Sequence, residues 1–485
     1  MKKLTLFNKI FLLGLIALVL TSCYVNPVTG RREIILVSES QELAMGAEYD
    51  PQLVASYGMY NDSKIQKFVE EKGAALGKLS DKPDMEFHFR VLDSPVVNAF
   101  AVPGGYIYLT RGILAQLNNE AELMGVIGHE MGHVCARHSA SQQTKSMLGQ
   151  LLLIGGATVS NRFAQLIDYA SAGLELLNLS YSRSDEREAD ELGVKYSTKL
   201  GYDANCMADF FNVLERLSDN SGSSIPTFLS THPNPTDRNG AVRQSAAKWQ
   251  AAVGKQSYAV NGSSYLKLID GIIYGDNPKN GYVENNVFYH PDMTFKFNVP
   301  AQWKLSNEAT QVTMSPSDGS AILVLMGSGE SSLQAAVEAH VNGLGLSNVS
   351  ASSTTINGNQ AIVTVADQVT NNSGTSTTNK MLSCYIQFNN QIFVFHGLTS
   401  SANFNTLRPT FEATMKSFSK LTDSSKINVK PYKISIKTVA TSGTLKNILT
   451  SYGVSSSMLE EVAVLNEREL SDVIAKGTMI KIVTK

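Results

Sequence analysis

The chain has 485 residues, of which 43% are apolar and 17% charged, and its formal net charge at pH 7 is −2. This composition excludes an intrinsically disordered or collagen-like chain, and the length suffices for about three domains. With 41 basic against 43 acidic side chains, there is no excess of positive charge to bind a phosphate backbone. We therefore expect a globular protein without a nucleic-acid partner.

The first residues have the pattern of a secretion signal. Three lysines precede an apolar stretch over residues 10–20, which is shorter than the ~20 residues that a membrane-spanning helix needs. Small residues at positions 21 and 22 then precede Cys23, as in a bacterial lipobox. We expect residues 1–22 to be removed, which leaves a net charge of −5, and Cys23 to carry a lipid. An ordinary signal peptide followed by a chance cysteine is the alternative.

Periodicity divides the rest of the chain into three parts. Helical patterns dominate residues 40–250, where Val96–Leu109 is expected to form a hairpin that turns at Pro-Gly-Gly. Alternating apolar residues over 284–422 predict an α+β domain in which no catalytic constellation is evident. Residues 430–485 have a strand–helix–helix–strand order that resembles a LysM module, and we expect this segment either to bind glycan or to dock onto a protein.

The segment from His129 to His133 is an H-E-x-x-H motif on a helix predicted to begin after Asn119 and to run to about Gln143. Two histidines four residues apart share one face of a helix, so both imidazoles can reach a single Zn²⁺. Glu130 lies beside them and can act as the general base toward a water molecule. The motif therefore predicts a catalytic zinc site.

A third zinc ligand is expected about fifty residues further on. Glu186 and Asp190 are again four residues apart, so they share a helix face. Glu186 can ligate the metal, and Asp190 can accept a hydrogen bond from a ligand histidine and fix its tautomer. Taken alone, this charged segment is more typical of a solvated helix face, but the H-E-x-x-H motif upstream reverses that preference and favours the zinc site.

Together, H-E-x-x-H and the later S-R-x-x-E-x-x-A-D pattern resemble the gluzincin metallopeptidases that include HtpX, the CAAX prenyl protease and BepA. Residues 26–30, 98–105 and 230–233 are similar to the BepA-like bacterial branch, and 269–291 resembles the C-terminal extension of its lipoprotein members. No 34-residue period is present, so the partner-binding role of tetratricopeptide repeats is not expected.

The resemblance implies an α+β fold in which a helix-rich, zincin-type peptidase domain carries a small β-hairpin or sheet. An α+β domain and a small LysM-like βααβ module would follow. The expected order is a lipoprotein signal peptide at 1–22, the zinc metallopeptidase domain at 23–255, a linker at 256–283, the α+β domain at 284–422 and the LysM-like module at 430–485.

The resemblance also assigns roles to the motif residues. His129, His133 and Glu186 would bind one zinc ion per chain, Glu130 would be the catalytic base, and Asp190 would lie behind the ligands. Histidines without a ligand-spaced partner are expected to be structural, and so is His138, which is predicted to lie more than two turns beyond His129 on the same helix. Arg238 is also expected to be structural.

Three further residues are assigned from the family pattern and the predicted hairpin. His232, in a Ser-Thr-His-Pro segment, would lie near the metal. There it would either donate to the developing oxyanion as a catalytic residue or occupy the fourth zinc position in a latent state; a loop histidine that caps a helix is the remaining alternative. Asn98 and Ala99 would bind an extended substrate at the edge of the hairpin.

The function implied is that of a lipid-anchored zinc metalloendopeptidase that degrades misfolded or unassembled envelope proteins, at the periplasmic face of the outer membrane. Expected partners are unfolded substrates, the membrane, and peptidoglycan or envelope proteins at the C-terminal domains. Two alternatives remain open. One is a largely non-catalytic, latched assembly or chaperone-like lipoprotein, and the other is a cell-wall-binding enzyme directed by the LysM-like tail.

Overall fold

The computed structural model describes residues 23–28, 30, 32–154, 181–220, 227–232, 238–372 and 375–485. The predicted signal peptide lies outside the described residues. The chain forms two compact units, of which the first comprises the part up to Gly275 together with Tyr432–Lys485, and the second comprises Asp276–Pro431. Within the described ranges, no helix is long and apolar enough to cross a membrane.

The first unit is mainly helical, as predicted, and has two small sheets before its C-terminal part. Strands β1 and β2 pair with each other, and a second sheet has the order β3-β5-β4, in which β3 is parallel and β4 antiparallel to β5. The strands are β1 (Cys23–Val25), β2 (Arg32–Ile34), β3 (His88–Leu92), β4 (Ala99–Val102), β5 (Tyr106–Thr110) and β6 (Ile273–Tyr274). The helices are α1 (Glu39–Tyr57), α2 (Ser63–Gly77), α3 (Arg111–Gln116), α4 (Glu120–Cys135), α5 (His138–Ile154), α6 (Arg183–Leu200), α7 (Asn205–Asn220), α8 (Thr227–Thr231), α9 (Arg238–Val253) and α10 (Gly262–Leu268).

Side-chain caps fix where the site-bearing helices begin. The Asn119 side chain accepts a hydrogen bond from the backbone N–H of Glu122, so α4 begins where the sequence predicts. At the start of α6, Ser182 and Asp185 form a reciprocal capping box. Because each cap satisfies backbone donors that have no partner within the helix, it fixes the register of the residues that follow.

The motif helix α4 ends at Cys135, earlier than the expected end near Gln143. Arg137 has a φ of 57°, a left-handed conformation that interrupts the helical hydrogen bonds, and α5 begins at the next residue. Arg137 is held there because its Nε donates to Glu42 Oε2 at 2.7 Å and its Nη2 donates to the carbonyl of Val37 at 2.7 Å. The prediction of one continuous helix is therefore wrong.

The second unit is an α+β body, as predicted for this part of the chain. Its main sheet is antiparallel, with seven strands in the order β10-β11-β12-β16-β15-β14-β13, and a smaller sheet has the order β17-β9-β8-β7. The strands are β7 (Tyr282–Glu284), β8 (Val287–His290), β9 (Phe295–Asn298), β10 (Lys304–Asn307), β11 (Gln311–Ser315), β12 (Ala321–Ser328), β13 (Leu346–Ile356), β14 (Asn359–Asn372), β15 (Thr375–Phe388), β16 (Gln391–Ser400) and β17 (Ser419–Lys420). The helices are α11 (Leu333–Gly343), α12 (Phe404–Ser417) and α13 (Ser424–Ile427).

The C-terminal part, residues 432–485, has the predicted strand–helix–helix–strand order. Strand β18 pairs with β21 and also with β6, which precedes the second unit in the chain. This pairing joins the tail to the first unit, although the order of elements alone does not identify a LysM module. The elements are β18 (Tyr432–Thr438), β19 (Gly443–Thr444), α14 (Leu445–Ser451), α15 (Leu459–Leu465), β20 (Val473–Ile474) and β21 (Met479–Thr484).

A buried lysine of β21 connects the tail to the start of the motif helix. Lys481 is fully buried, and its Nζ donates to the carbonyls of Ala115, Gln116 and Leu117 at 3.0, 2.9 and 3.0 Å. These carbonyls belong to the C-terminal end of α3, and burial lowers the pKa of Lys481 to about 7, an effect that Glu122 and Glu467 oppose. The tail therefore completes the segment that leads into α4.

We expect Lys481→Met to lower the free energy of unfolding of the first unit by about 3–5 kcal/mol, because three buried carbonyls lose their hydrogen-bond donor. Urea denaturation in a Trp303→Phe background measures this, since Trp249 then reports on the first unit alone. The exposed Lys476→Met is the control. A similar small loss in both variants would contradict the role of the buried lysine.

Candidate active site

Four side chains from three separate segments converge in the first unit. Ligand atoms of His129, His133, Glu186 and His232 all lie within 4.8 Å of one another, and each of these residues is buried. The Nε2 atoms of His129 and His133 are 3.1 Å apart, and Nδ1 of His232 is 3.0 Å from Oε1 of Glu186. The structure therefore brings together the predicted ligands and adds His232 to them.

Close packing of α4 against α6 produces this convergence. A Cβ added to Gly193 would lie 2.9 Å from the backbone nitrogen of His129, and one added to Gly132 would lie 3.1 Å from Cα of Ala189. Such approaches leave no room for larger side chains at these positions. The alanine of the E-x-x-A-D pattern is thus a packing residue, and the helix contact places the two pairs of polar residues opposite each other.

A buried ion pair lies behind His129. Its Nδ1 is 2.9 Å from Oδ1 of Asp190, and Arg238 binds both oxygens of that carboxylate, at 2.6 and 2.7 Å. Burial alone would raise the pKa of Asp190, but Arg238 and the hydrogen bond to His129 lower it to about 2. The guanidinium also lies 4.2 Å from the centre of the Phe211 ring. Arg238, expected only to be structural, therefore belongs to the site.

Glu130 faces the cluster with a free carboxyl group. Neither of its oxygens has a hydrogen-bond partner among the described residues, although the side chain is fully buried. The nearest charged atom is Nε2 of His232, 3.6 Å from Oε1. Burial raises the pKa of Glu130, and His232 and His129 oppose that effect. A buried carboxyl group with a raised pKa is suited to accept a proton at neutral pH.

Two of the ligands, His133 and Glu186, have the protonation states that metal binding requires. Burial and the neighbouring His129 hold the pKa of His133 well below its usual value, so this imidazole is neutral at pH 7. Burial would raise the pKa of Glu186, but His232 and His129 lower it, so this carboxyl is ionised. For His232 the net shift is upward: burial lowers its pKa, but the neighbouring Glu186 and Glu130 raise it more strongly. The two carboxylates thus make the centre of the cluster favourable for positive charge.

These features fit a zinc ion. Two imidazole nitrogens whose lone pairs converge at 3.1 Å repel each other unless a proton or a metal lies between them. Two histidines and a glutamate form the protein ligand set of many catalytic zinc sites, and such sites leave a further position for a fourth ligand. Zinc is the cofactor that this cluster and its sequence family indicate.

The edge strand of the small sheet lies beside the motif helix, and Asn98 and Ala99 are both buried there. The backbone N–H of Thr110 donates to the carbonyl of Asn98, so Asn98 is directed toward β5. Backbone direction alternates along a strand, so the N–H and C=O groups of Ala99 and Ala101 are directed away from β5, on an edge where Ala99 is fully buried. Of the two residues expected to bind substrate, Ala99 therefore presents its backbone at the edge and Asn98 does not.

The segment that carries His232 contacts the same edge. The backbone N–H of Phe228, in α8, donates to the carbonyl of Val97 at 3.2 Å. The Phe228 ring also stacks on His232, with ring centres 4.7 Å apart. One short segment therefore reaches both the ligand cluster and the beginning of the edge strand.

Two aromatic neighbours of His133 were not found by sequence reasoning. Tyr181 stacks on its ring with centres 4.0 Å apart, and Nδ1 of His138 lies 2.9 Å from Nδ1 of His133. The prediction placed His138 more than two turns away along one helix, but the break at Arg137 brings it back to the site. No sequence signal marks that break.

We expect Asp190→Ala to weaken zinc binding by about 10–100-fold, because His129 loses the carboxylate that orients it. Competition with a coloured chelator measures the affinity directly. Asp209→Ala is the control, since Asp209 forms an exposed ion pair with Arg243. Unchanged affinity in Asp190→Ala would show that the ion pair behind His129 has no part in metal binding.

Comparison with known proteins agrees with this geometry. Residues 61–246 match peptidase family M48. The beta-barrel assembly-enhancing protease of Yersinia pestis is 30% identical over 220 residues, which cover 43% of this chain and 45% of the relative. The protein of that name from Escherichia coli (strain K12) is 29% identical over 231 residues, covering 46% and 47% of the two chains. The mitochondrial metalloendopeptidase OMA1 of Arabidopsis thaliana is 33% identical over 186 residues, covering 38% and 36%.

The chain thus spans less than half the length of these relatives. The match to family M48 covers the part of the chain that contains the ligand cluster. The matched residues include both halves of the site, the H-E-x-x-H helix and the E-x-x-A-D helix. Residues 61–246 are therefore similar to the peptidases of family M48, of the HtpX/BepA-like kind that the sequence motifs indicate.

Proposed function

We propose that this protein is a zinc metalloendopeptidase. The observation that carries the proposal is the convergence of His129, His133 and Glu186 next to Glu130, a buried carboxyl group without a hydrogen-bond partner among the described residues. A structural zinc site needs no such free carboxyl group, whereas hydrolysis needs a base at this position.

The chain's own residues account for the proton transfers of peptide hydrolysis. Zinc bound at the cluster would supply Lewis-acid polarisation of the scissile carbonyl and would acidify water. Glu130 removes the proton from the attacking water and later delivers it to the leaving amine. Asp190 and Arg238 hold the His129 ring in the tautomer that directs Nε2 to the cluster.

The edge strand suggests how substrate is bound. Once the edge that buries Ala99 is uncovered, an extended peptide can add to β4 by pairing with the outward backbone groups of Ala99 and Ala101. Since such pairing requires an unfolded segment, the proposed substrates are misfolded or unassembled proteins. The names of the relatives support envelope protein quality control as the setting.

Location and partners form a further part of the proposal. A lipid on Cys23 would hold the protein at a membrane, which we propose to be the periplasmic face of the outer membrane. Cys23 begins β1, which pairs with β2 and so attaches the lipidation site to folded structure. The C-terminal domains would contact peptidoglycan or envelope proteins.

We further propose that His232 closes the site at rest. Its Nδ1 lies 3.2 Å from Nε2 of His129 and 3.0 Å from Oε1 of Glu186, so it is one of the clustered ligand atoms. These distances leave no room for a substrate oxyanion between His232 and the other ligands. The backbone N–H of Phe228, in the same segment, donates to the carbonyl of Val97 just before the edge strand, so this carbonyl is not available to a substrate. Opening this segment would free the fourth zinc position and the substrate edge together. The same closed arrangement favours a latched, largely non-catalytic assembly factor as the second candidate.

Glu130→Gln is expected to abolish casein cleavage while one zinc per chain is retained, because the amide cannot accept the proton. The assay uses the chain from residue 24 onward, with metal content measured on the same samples. Glu191→Gln, on the E-x-x-A-D helix but in an exposed ion pair with Lys248, is the control. Zinc without cleavage in every variant, wild type included, would favour the assembly factor, and a chain without zinc would contradict the site.

His232→Ala is expected to raise the cleavage rate, since it removes the group that occupies the fourth position. If His232 instead donates to the oxyanion, its loss would lower kcat by about 10²–10³. The two roles thus predict opposite signs. His88→Ala, a histidine outside the ligand cluster, should leave the rate unchanged.

A further inference from the structure

His133 has a buried partner on the side away from the other ligands. Its Nδ1 lies 2.9 Å from Nδ1 of His138, and both side chains are almost fully buried. His138 reaches this position because Arg137 adopts a left-handed conformation, which Glu42 and the carbonyl of Val37 hold in place. The contact is therefore built by the break between α4 and α5.

The hydrogen bond between the two imidazoles determines where their protons are. Nε2 of His133 faces the cluster, 3.1 Å from Nε2 of His129 and 3.5 Å from Oε1 of Glu186. A nitrogen that binds a metal carries no proton, so the proton of a neutral His133 must be on Nδ1. Nδ1 of His138 must then accept that proton in a hydrogen bond, and the proton of His138 itself must be on Nε2.

The surroundings of His138 agree with this assignment. Its Nε2 is directed toward Oε2 of Glu188, at 3.6 Å, and has no hydrogen-bond partner among the described residues. A carboxylate at that distance favours an N–H on Nε2 over a lone pair, because the N–H is the positive end of the bond dipole. Tyr181 stacks on His133 and its hydroxyl contacts Ser139 Oγ at 2.9 Å, which restricts the plane of the ring but not its tautomer.

We propose that His138 is a positioning residue that accepts the Nδ1 proton of His133 and so presents Nε2 of His133 to zinc. The two ligand histidines are then oriented differently: His129 by the carboxylate of Asp190, and His133 by a neutral imidazole. Without His138, the Nδ1–H of His133 would be buried without an acceptor, and zinc binding would have to overcome that cost. The inference rests on the proposed function, because it requires zinc at this cluster.

A matched pair of substitutions separates the hydrogen bond from packing. His138→Asn keeps an acceptor oxygen close to the position of Nδ1, whereas His138→Leu has nearly the same outline and no acceptor. We expect the Leu variant to bind zinc about 10–100-fold more weakly than wild type in chelator competition, and the Asn variant to bind nearly as tightly as wild type. His290→Leu, in the second unit, is the control and should leave the affinity unchanged.

Urea unfolding of the metal-free proteins shows whether either variant is merely destabilised. Equal zinc affinity in the Leu variant and wild type would overturn the inference and leave the peptidase proposal intact. Equal weakening in the Asn and Leu variants would also overturn it, since the acceptor would then be irrelevant. A wild-type chain that binds no zinc would overturn the zinc site and the inference together.

Discussion

The close contact between α4 and α6 is the constraint on which the site depends. Where Gly128 and Gly132 face Gly193 and Ala189, backbone meets backbone with no side chain in between. This brings the imidazoles of one helix within reach of the carboxylates of the other. A single added methyl group at these positions would separate the helices and move Glu186 away from the histidines. The metal geometry is therefore determined by residues that never touch the metal.

Charge balance explains why so many polar groups can be buried together. Glu130, Glu186 and Asp190 contribute three negative charges when ionised, and Arg238 contributes one positive charge. These four groups then have a net charge of −2, which one Zn²⁺ would neutralise. Burying charged groups is costly unless they are compensated, so the cluster is stable as a charged assembly only with a divalent cation or with protons in its place. The stability of the site therefore depends on whether a cation or protons compensate its buried carboxylates.

The sequence predicted the elements that carry their own local signals. Three such short-range patterns are present in the structure: the histidines at i and i+4, the second pair Glu186 and Asp190, and the Asn119 cap. The same holds for the helical character of the first unit and the α+β character of the second. These features depend on neighbours within about one turn of helix, where spacing alone fixes geometry.

The residues that were misjudged depend on distant partners. Arg137 adopts a left-handed conformation because Glu42 and Val37 hold it, so nothing in its own neighbourhood predicts the break that brings His138 to the site. Arg238 lies on a separate helix, α9, so no spacing of three or four residues links it to the motif residues in the sequence. The sequence assigns no role to Lys481, which lies in an apolar strand and is buried where α3 offers three carbonyls. Tertiary contacts decide each of these cases.

The docking of β21 has a consequence for the order in which the first unit is assembled. Lys481 and the carbonyl of Ala115 are 366 positions apart in the chain, and the second unit lies between them as an insertion. A ribosome delivers the motif helix long before the lysine that closes the segment leading into it. The first unit therefore lacks this buried contact until the whole insertion has been synthesised.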